Sequence, residues 1–203
     1  MLIIEKIKRG YSKLVRYLEK FDETDKKIIS LLMEKPDITQ IAIANHLRLS
    51  QPAVYARIQR LRKAGIITKI VGVNVREVDL HMAKVEITAK EPWKIVDFFS
   101  KCPMFLNGFI TSGKYNLCLI LVSEKLQAIE CCVNYNLRKN PDVLDVESNV
   151  IVTPTKDFVV PLMIYSEKLR KSPCGKICTE QPCYPDGKCL GCPATVFYKG
   201  RLL

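Results

Sequence analysis

Apolar positions in the first third of the chain recur at three- and four-residue steps, the period of helices. Residues 3–20 set Ile3, Ile4, Ile7, Tyr11, Leu14, Val15 and Leu18 on one face with lysines and arginines between them. FDETDKKIISLLMEK predicts a second helix, with Ile28, Ile29, Leu31 and Leu32 inward, Asp22 as its N-cap and Pro36 as its stop. ITQIAIANHLRL predicts a third, capped by Thr39, with Ile43, Ala44 and Leu47 facing the core. SQPAVYARIQRLRKAG predicts a fourth, capped by Ser50. Pro52 is tolerated in its first turn, and Val54, Ile58 and Leu61 form its buried stripe. Gly65 ends that helix, and IITKIVGVNV predicts a β-ribbon with Gly72 at or near its turn.

Further along, strand patterns alternate with helical ones. MAKVEITA reads as a strand and EPWKIVDFFSKC as a helix. FLNGFITSG and YNLCLILV form two strands around Gly113, SEKLQAIECCVNYNLRK a helix capped by Ser123, and DVLDVESNVIVTP a closing strand. The order β-α-β-β-α-β is that of a ferredoxin-like sandwich. The expected class is therefore α+β: a winged helix-turn-helix, then a ferredoxin-like βαββαβ sandwich, then a small Cys-rich tail. Residues 1–20 form the opening helix, 21–78 the winged domain, 79–165 the sandwich and 166–203 the tail.

Charge adds a partner to this layout. Residues 1–72 carry fifteen Lys and Arg against seven Asp and Glu, leaving only three of the formal +11 charges for the rest. Positive charge thus gathers where a polyanion would be met, on the domain with a docking helix. With Val54, Ile58 and Leu61 buried, the opposite face of that helix shows Gln51, Ala53, Tyr55, Ala56, Gln59, Arg60 and Lys63. Small residues and amides at its front suit a major groove, and the cations behind them suit phosphates. The candidate contacts to double-stranded DNA are Ser50, Gln51, Pro52, Ala53, Tyr55, Ala56, Arg57, Gln59, Arg60 and Lys63. An ordinary helical bundle with a solvated basic face would share that surface.

The stretches FDETDKKIISLL and ITQIAIANHLRLSQPAVYARIQRLRKAGIITKIVGVNV closely resemble the DNA-binding domain of the Lrp/AsnC (leucine-responsive, feast/famine) family of prokaryotic regulators. The matching marks are the Asp22/Asp25 pair, Leu49-Ser50, Arg57, Leu61 and the Gly65-Ile66-Ile67 exit. The resemblance runs over about residues 21–160 and implies a transcription regulator whose helix-turn-helix spans Gln40 to Gln59. It also implies that sandwiches pair sheet to sheet in a homodimer or larger assembly. Phe105, Phe109, Leu117, Leu119, Val146 and Val150 lie on the strands that would build such a face. A small-molecule effector is implied near Gly113, Tyr115 and Asn116, where the family carries a Gly-x-Tyr/Phe-Asp turn. Here Asn116 replaces the aspartate, and a neutral amide is not an equal partner for an ammonium group.

The tail has its own chemistry: Cys174-x3-Cys178-x4-Cys183-x5-Cys189-x2-Cys192, followed by Pro193. The intervening GKI, TEQP, YPDGK and LG are turn sequences with almost nothing to bury, so something else must hold them. The candidates are an iron–sulfur cluster, a zinc ion or disulfides. Thiols buried as small hydrophobes would be the bland alternative. Cys102, Cys118, Cys131 and Cys132, by contrast, lie among apolar residues in regular elements, where filling space is the expected job. No apolar run approaches the ~20 residues that span a bilayer, and MLIIEKIKRG is too charged for a secretory signal. A cytoplasmic, reducing location is expected, which disfavours disulfides. Cys189 and Cys192 have the spacing to reach one metal centre, with Cys178 and Cys183 closing the set and Cys174 an alternative ligand or a free thiol. A [4Fe–4S] cluster is favoured because the Cys-Pro step resembles bacterial ferredoxins, with zinc the alternative.

No acid–base or nucleophile constellation accompanies these features. The two histidines, His46 and His81, stand apart from any catalytic group in sequence. The chain reads as no enzyme but as a sequence-specific regulator. An iron–sulfur redox protein or enzyme carrying a helix-turn-helix, and a DNA-compacting protein, are its rivals.

Overall fold

The computed structural model describes residues 21–165, 167–201 and 203. The amphipathic helix expected at 3–20 lies outside the described residues. The chain divides into two compact units between Lys69 and Ile70.

The described residues of the first unit form three helices: α1 (Glu23–Glu34), α2 (Gln40–Leu47) and α3 (Gln51–Lys63). Each begins where a side chain meets its free backbone donors. Asp22 and Asp25 make a reciprocal capping box on α1, Thr39 Oγ1 accepts from Ala42 N on α2, and Ser50 Oγ from Ala53 N on α3. Ile28, Ile43, Ala44, Val54 and Ile58 form the core, joined at its edge by Leu31, Leu32, Leu47 and Ile67. The turn between α2 and α3 passes through Arg48 in the left-handed region, at φ 55°.

The ribbon expected after Gly65 is absent: among the described residues, 66–72 form no strand. Instead β1 (Val73–Asn74) pairs antiparallel with β6 (Val159–Val160) inside the second unit. Gly72 is needed for close approach rather than for a turn. A Cβ there would stand 2.5 Å from the carbonyl oxygen of Val160. Gly72→Ala is therefore expected to destabilise this pairing by about 1–3 kcal/mol, the usual cost of overpacking against backbone. A thermal melt showing no loss would refute the close approach.

The rest of the second unit is β2 (His81–Ala89), α4 (Pro92–Phe99), β3 (Phe105–Ile110), β4 (Leu117–Ser123), α5 (Leu126–Val133) and β5 (Val143–Ile151). The four long strands form one antiparallel sheet in the order β3-β4-β2-β5, the ferredoxin-like arrangement. Register decides which face is covered. Ala83, Val85 and Ile87 of β2 and Leu117, Leu119 and Leu121 of β4 pack with Ile95 and Phe99 of α4 and Ile129 and Val133 of α5. Ser123 does not cap α5; it is buried, and its Oγ accepts from Lys125 N at 3.3 Å.

This register corrects the expected pairing face. Leu117 and Leu119 lie in the core, and Phe105, Val146 and Val150 share their side of the sheet. Of the six residues, only Phe109 points to the uncovered face, beside Cys118, at 50% exposure. That face also carries Lys84 and Glu86, ion-paired at 2.9 Å. No helix among the described residues is long and apolar enough to cross a membrane.

Candidate nucleic-acid interface and cysteine pocket

The exposed surface of α3 is set by its buried stripe. Val54, Ile58 and Leu61 are 0–2% exposed, so Gln51, Pro52, Tyr55, Ala56, Gln59 and Lys63 face outward. Ser50 is committed to its cap, and Ala53 is half-buried. Gln51 Nε2 donates to Gln40 Oε1 at 3.1 Å, which fixes the amide at the mouth of the α2–α3 turn. Gln59 lies two turns along, the spacing that puts both amides on one helical face. His46 is exposed near the end of α2, and His81 is exposed at the start of β2.

Arg57 and Arg60 have other partners. Arg57 Nη1 donates to Asp22 at 2.7 Å and to Asp25 at 2.9 Å, and Arg60 Nη2 donates to Asp25. Asp25 has no exposed surface at all. Both arginines thus tie α3 to the start of α1, while Arg60 keeps 41% of its side chain exposed. The signal was present in the sequence as two acids at i, i+3 and two arginines at i, i+3. The Arg57 guanidinium holds the Asp22 carboxyl below the usual carboxylate range. Its stabilising contribution is therefore fully present above a pH of about 3.9 and is lost as pH falls through the lower folded value.

The family model described as winged helix-turn-helix DNA-binding matches residues 21–68. The first unit is a helix-turn-helix DNA-binding domain. Solved structures extend the likeness to both units. Escherichia coli AsnC aligns with a TM-score of 0.57 at 16% identity, covering 68% of this chain and 96% of its own. The leucine response regulatory protein LrpA of Mycobacterium tuberculosis gives 0.58 at 19%, covering 67% and 95%. A transcriptional regulator from Neisseria meningitidis, solved as an L-Met complex, gives 0.57 at 22%, covering 69% and 96%. No curated protein matches the chain. The fold is that of the Lrp/AsnC regulators.

Within that fold, the residues expected around an effector are already engaged. Asn116 Oδ1 accepts from Ala89 N at 2.9 Å and its Nδ2 donates to Ala89 O at 2.7 Å, so the amide clamps β4 to the end of β2. Tyr115 OH donates to Glu147 Oε2 at 2.8 Å. Gly113, at φ 116°, lies exposed in the turn between β3 and β4.

The tail is not a loop with nothing to bury. Cys183, Cys189, Cys192, Ala194 and Thr195 are all buried. Glu124 accepts from Tyr198 OH at 2.7 Å and from Arg201 N at 2.9 Å, while Lys168 Nζ donates to Pro193 O at 2.6 Å. The Glu124 bonds tie the tail to the segment between β4 and α5, and the Lys168 bond holds the tail to itself. The five tail thiols, Cys174, Cys178, Cys183, Cys189 and Cys192, line one cavity of about 90 Å³. Gly191, at φ 89°, brings its backbone against the ring of Tyr184, and its N–H donates to Cys189 Sγ at 3.4 Å.

Burial and neighbouring thiols shift the tail cysteines. Cys178 is pushed up by its hydrogen bond to Cys192 and by burial, and Cys192 is correspondingly lowered. Burial, then Cys131, pushes Cys183 up to about 12, and burial raises Cys189 to about 11. Among the described residues, no three His, Cys, Asp or Glu side chains meet closely enough to hold a single ion. The sulfurs ring a space instead of converging on a point.

Proposed function

We propose that the protein is a sequence-specific transcription regulator that binds double-stranded DNA through α3, acts as a homodimer, and carries a metal centre in the cysteine pocket. The observation that carries DNA binding is the outward row of Gln51, Tyr55, Gln59 and Lys63 on a helix fixed by its own buried stripe. The amides Gln51 and Gln59 in that row suit base edges, and Lys63 at its end suits phosphate. Replacing Gln51 and Gln59 by Ala is expected to cost about 1–3 kcal/mol per lost base contact on the preferred site while sparing random sequence. Lys63→Ala should weaken all sequences alike and flatten the salt dependence. Titrations at fixed salt on preferred and random duplexes check both. Equal losses on the two duplexes would leave a DNA-compacting protein as the better reading.

A single helix reads only a short site, so two-fold assembly and a pseudo-palindromic operator accompany this reading. Light scattering at micromolar concentration tests it, and a monomer would count against it.

For the pocket, a ring of thiols around about 90 Å³ suits a polynuclear centre. A single zinc would need its thiolates within about 2.3 Å of one point. A [4Fe–4S] cluster is favoured over zinc on the Cys192-Pro193 step. Cys189 and Cys192 would be ligands, with the Gly191 N–H tuning the Cys189 sulfur. Anaerobic purification followed by an absorption spectrum decides between the metals: a cluster absorbs visibly, and zinc does not.

A further inference from the structure

Three cysteines outside the tail share its cavity. Cys102, in the loop after α4, and Cys131 and Cys132, at the end of α5, line the same space as the five tail thiols. Only Cys118 stands elsewhere, on the other face of the sheet. Cys183 and Cys189 belong to the sandwich's own core cluster, with Cys102, Cys131 and Cys132 packed against it. The cavity is therefore a seam between sandwich and tail rather than a pocket within the tail.

Cysteines that merely fill space need neither a void beside them nor hydrogen-bond donors to their sulfurs. Here both are present. α5 runs on into a five-residue π turn, Asn134–Arg138, a rare geometry that gathers at functional sites. That turn carries Asn136, whose Nδ2 donates to Cys132 O at 3.0 Å and to Cys132 Sγ at 3.4 Å. The same side chain lines the cavity, and its buried Oδ1 has no partner among the described residues. An N–H···S bond reaches the tail thiol Cys189 in the same way. Donors aimed at sulfur stabilise thiolates, the form that ligates metal. Lys176 also lines the space and supplies a positive charge near it.

We infer that cysteines of the sandwich, two drawn from Cys102, Cys131 and Cys132, join Cys189 and Cys192 as the four ligands of the metal centre, which is thus a joint site bridging the sandwich and the tail. This rests on reading the pocket as a metal centre. Thiols from α5 would make occupancy of the site a property of the sandwich itself, because binding would fix the end of that helix to the tail.

The test measures iron, zinc and acid-labile sulfide per chain in full-length protein, purified and reconstituted anaerobically. Compared with wild type are the triple variant Cys102→Ser/Cys131→Ser/Cys132→Ser, the tail variant Cys189→Ser/Cys192→Ser, and Cys118→Ser. The triple variant is expected to lose roughly half or more of its metal, since a cubane requires four thiolates, while Cys118→Ser keeps the wild-type amount. Full metal in the triple variant, with metal lost from the tail variant, overturns the joint site and leaves a tail-only centre standing. A metal-free wild type overturns both.

Should the triple variant fail to fold, alkylation of wild type before and after chelation gives the answer without substitution. Two or more of Cys102, Cys131 and Cys132 are expected to react several-fold faster once metal is removed, with Cys118 unchanged. Equal rates before and after would overturn the inference.

Discussion

Serine at Cys189 and Cys192 is expected to reduce bound metal to background and to loosen the tail from the sandwich. Both sulfurs line the cavity, and Cys189 receives the Gly191 N–H. Serine offers an alcohol that stays protonated at neutral pH, so the charge that holds a metal is lost with each substitution. The tail then keeps the Glu124 and Lys125 hydrogen bonds to the sandwich and a few buried small residues. Limited proteolysis should cut the variant tail within residues 170–190 while the sandwich survives. Retained metal would remove these two cysteines from the site. Lost metal with unchanged DNA affinity would make the centre structural, whereas a change in affinity would make it a switch.

The helical unit was readable because every signal in it is local. Caps at Asp22, Thr39 and Ser50 and the stripe Val54, Ile58, Leu61 lie within a few residues of the structure they specify. The sandwich was readable as an order of elements, but not as a surface. YNLCLILV is apolar at nearly every position, so period alone could not say that Leu117 and Leu119 face the core while Cys118 and Ile120 do not. Long-range contacts left no local mark. Val73 pairs with Val160 across most of the second unit, and Gly72, read as a turn, proves to be a close approach. The same holds for the pocket. Cys131 and Cys132 sit on an apolar helix like any core residues, and their thiol neighbours come from the distant Cys102 and from the returning tail. The partners of the arginines on α3 were hidden for a related reason. The acids that engage Arg57 and Arg60 lie more than thirty residues earlier, on a different helix.

That last contact carries the other large effect: Asp25→Ala is expected to destabilise the helical unit by about 2–4 kcal/mol. Removing one partner of a fully buried ion pair costs about 3–5 kcal/mol, and the figure is discounted here because Arg57 and Arg60 are 28% and 41% exposed and can recover some hydration. Asp25 also closes the capping box, accepting from Asp22 N at 3.3 Å, so a helix start is weakened in the same step. In a unit of this size each kcal/mol lowers the melting temperature by about 4–8 °C, which predicts a shift of about 10 °C or more. DNA binding should vanish with it, since α3 is held at the correct angle by this tie. Circular dichroism melts of the full chain check the prediction, and a shift of only a few degrees would show the ion pair to be dispensable. Changing Asp25, Arg57 and Arg60 together to Leu, Met and Met separates the causes. If uncompensated charge is the main cost, the triple variant should melt above Asp25→Ala, because no buried charge is then left without its partner and Asp22, which loses Arg57, is half-exposed to water. If the triple variant still binds the preferred duplex, Arg57 and Arg60 hold the recognition helix in place and do not read DNA.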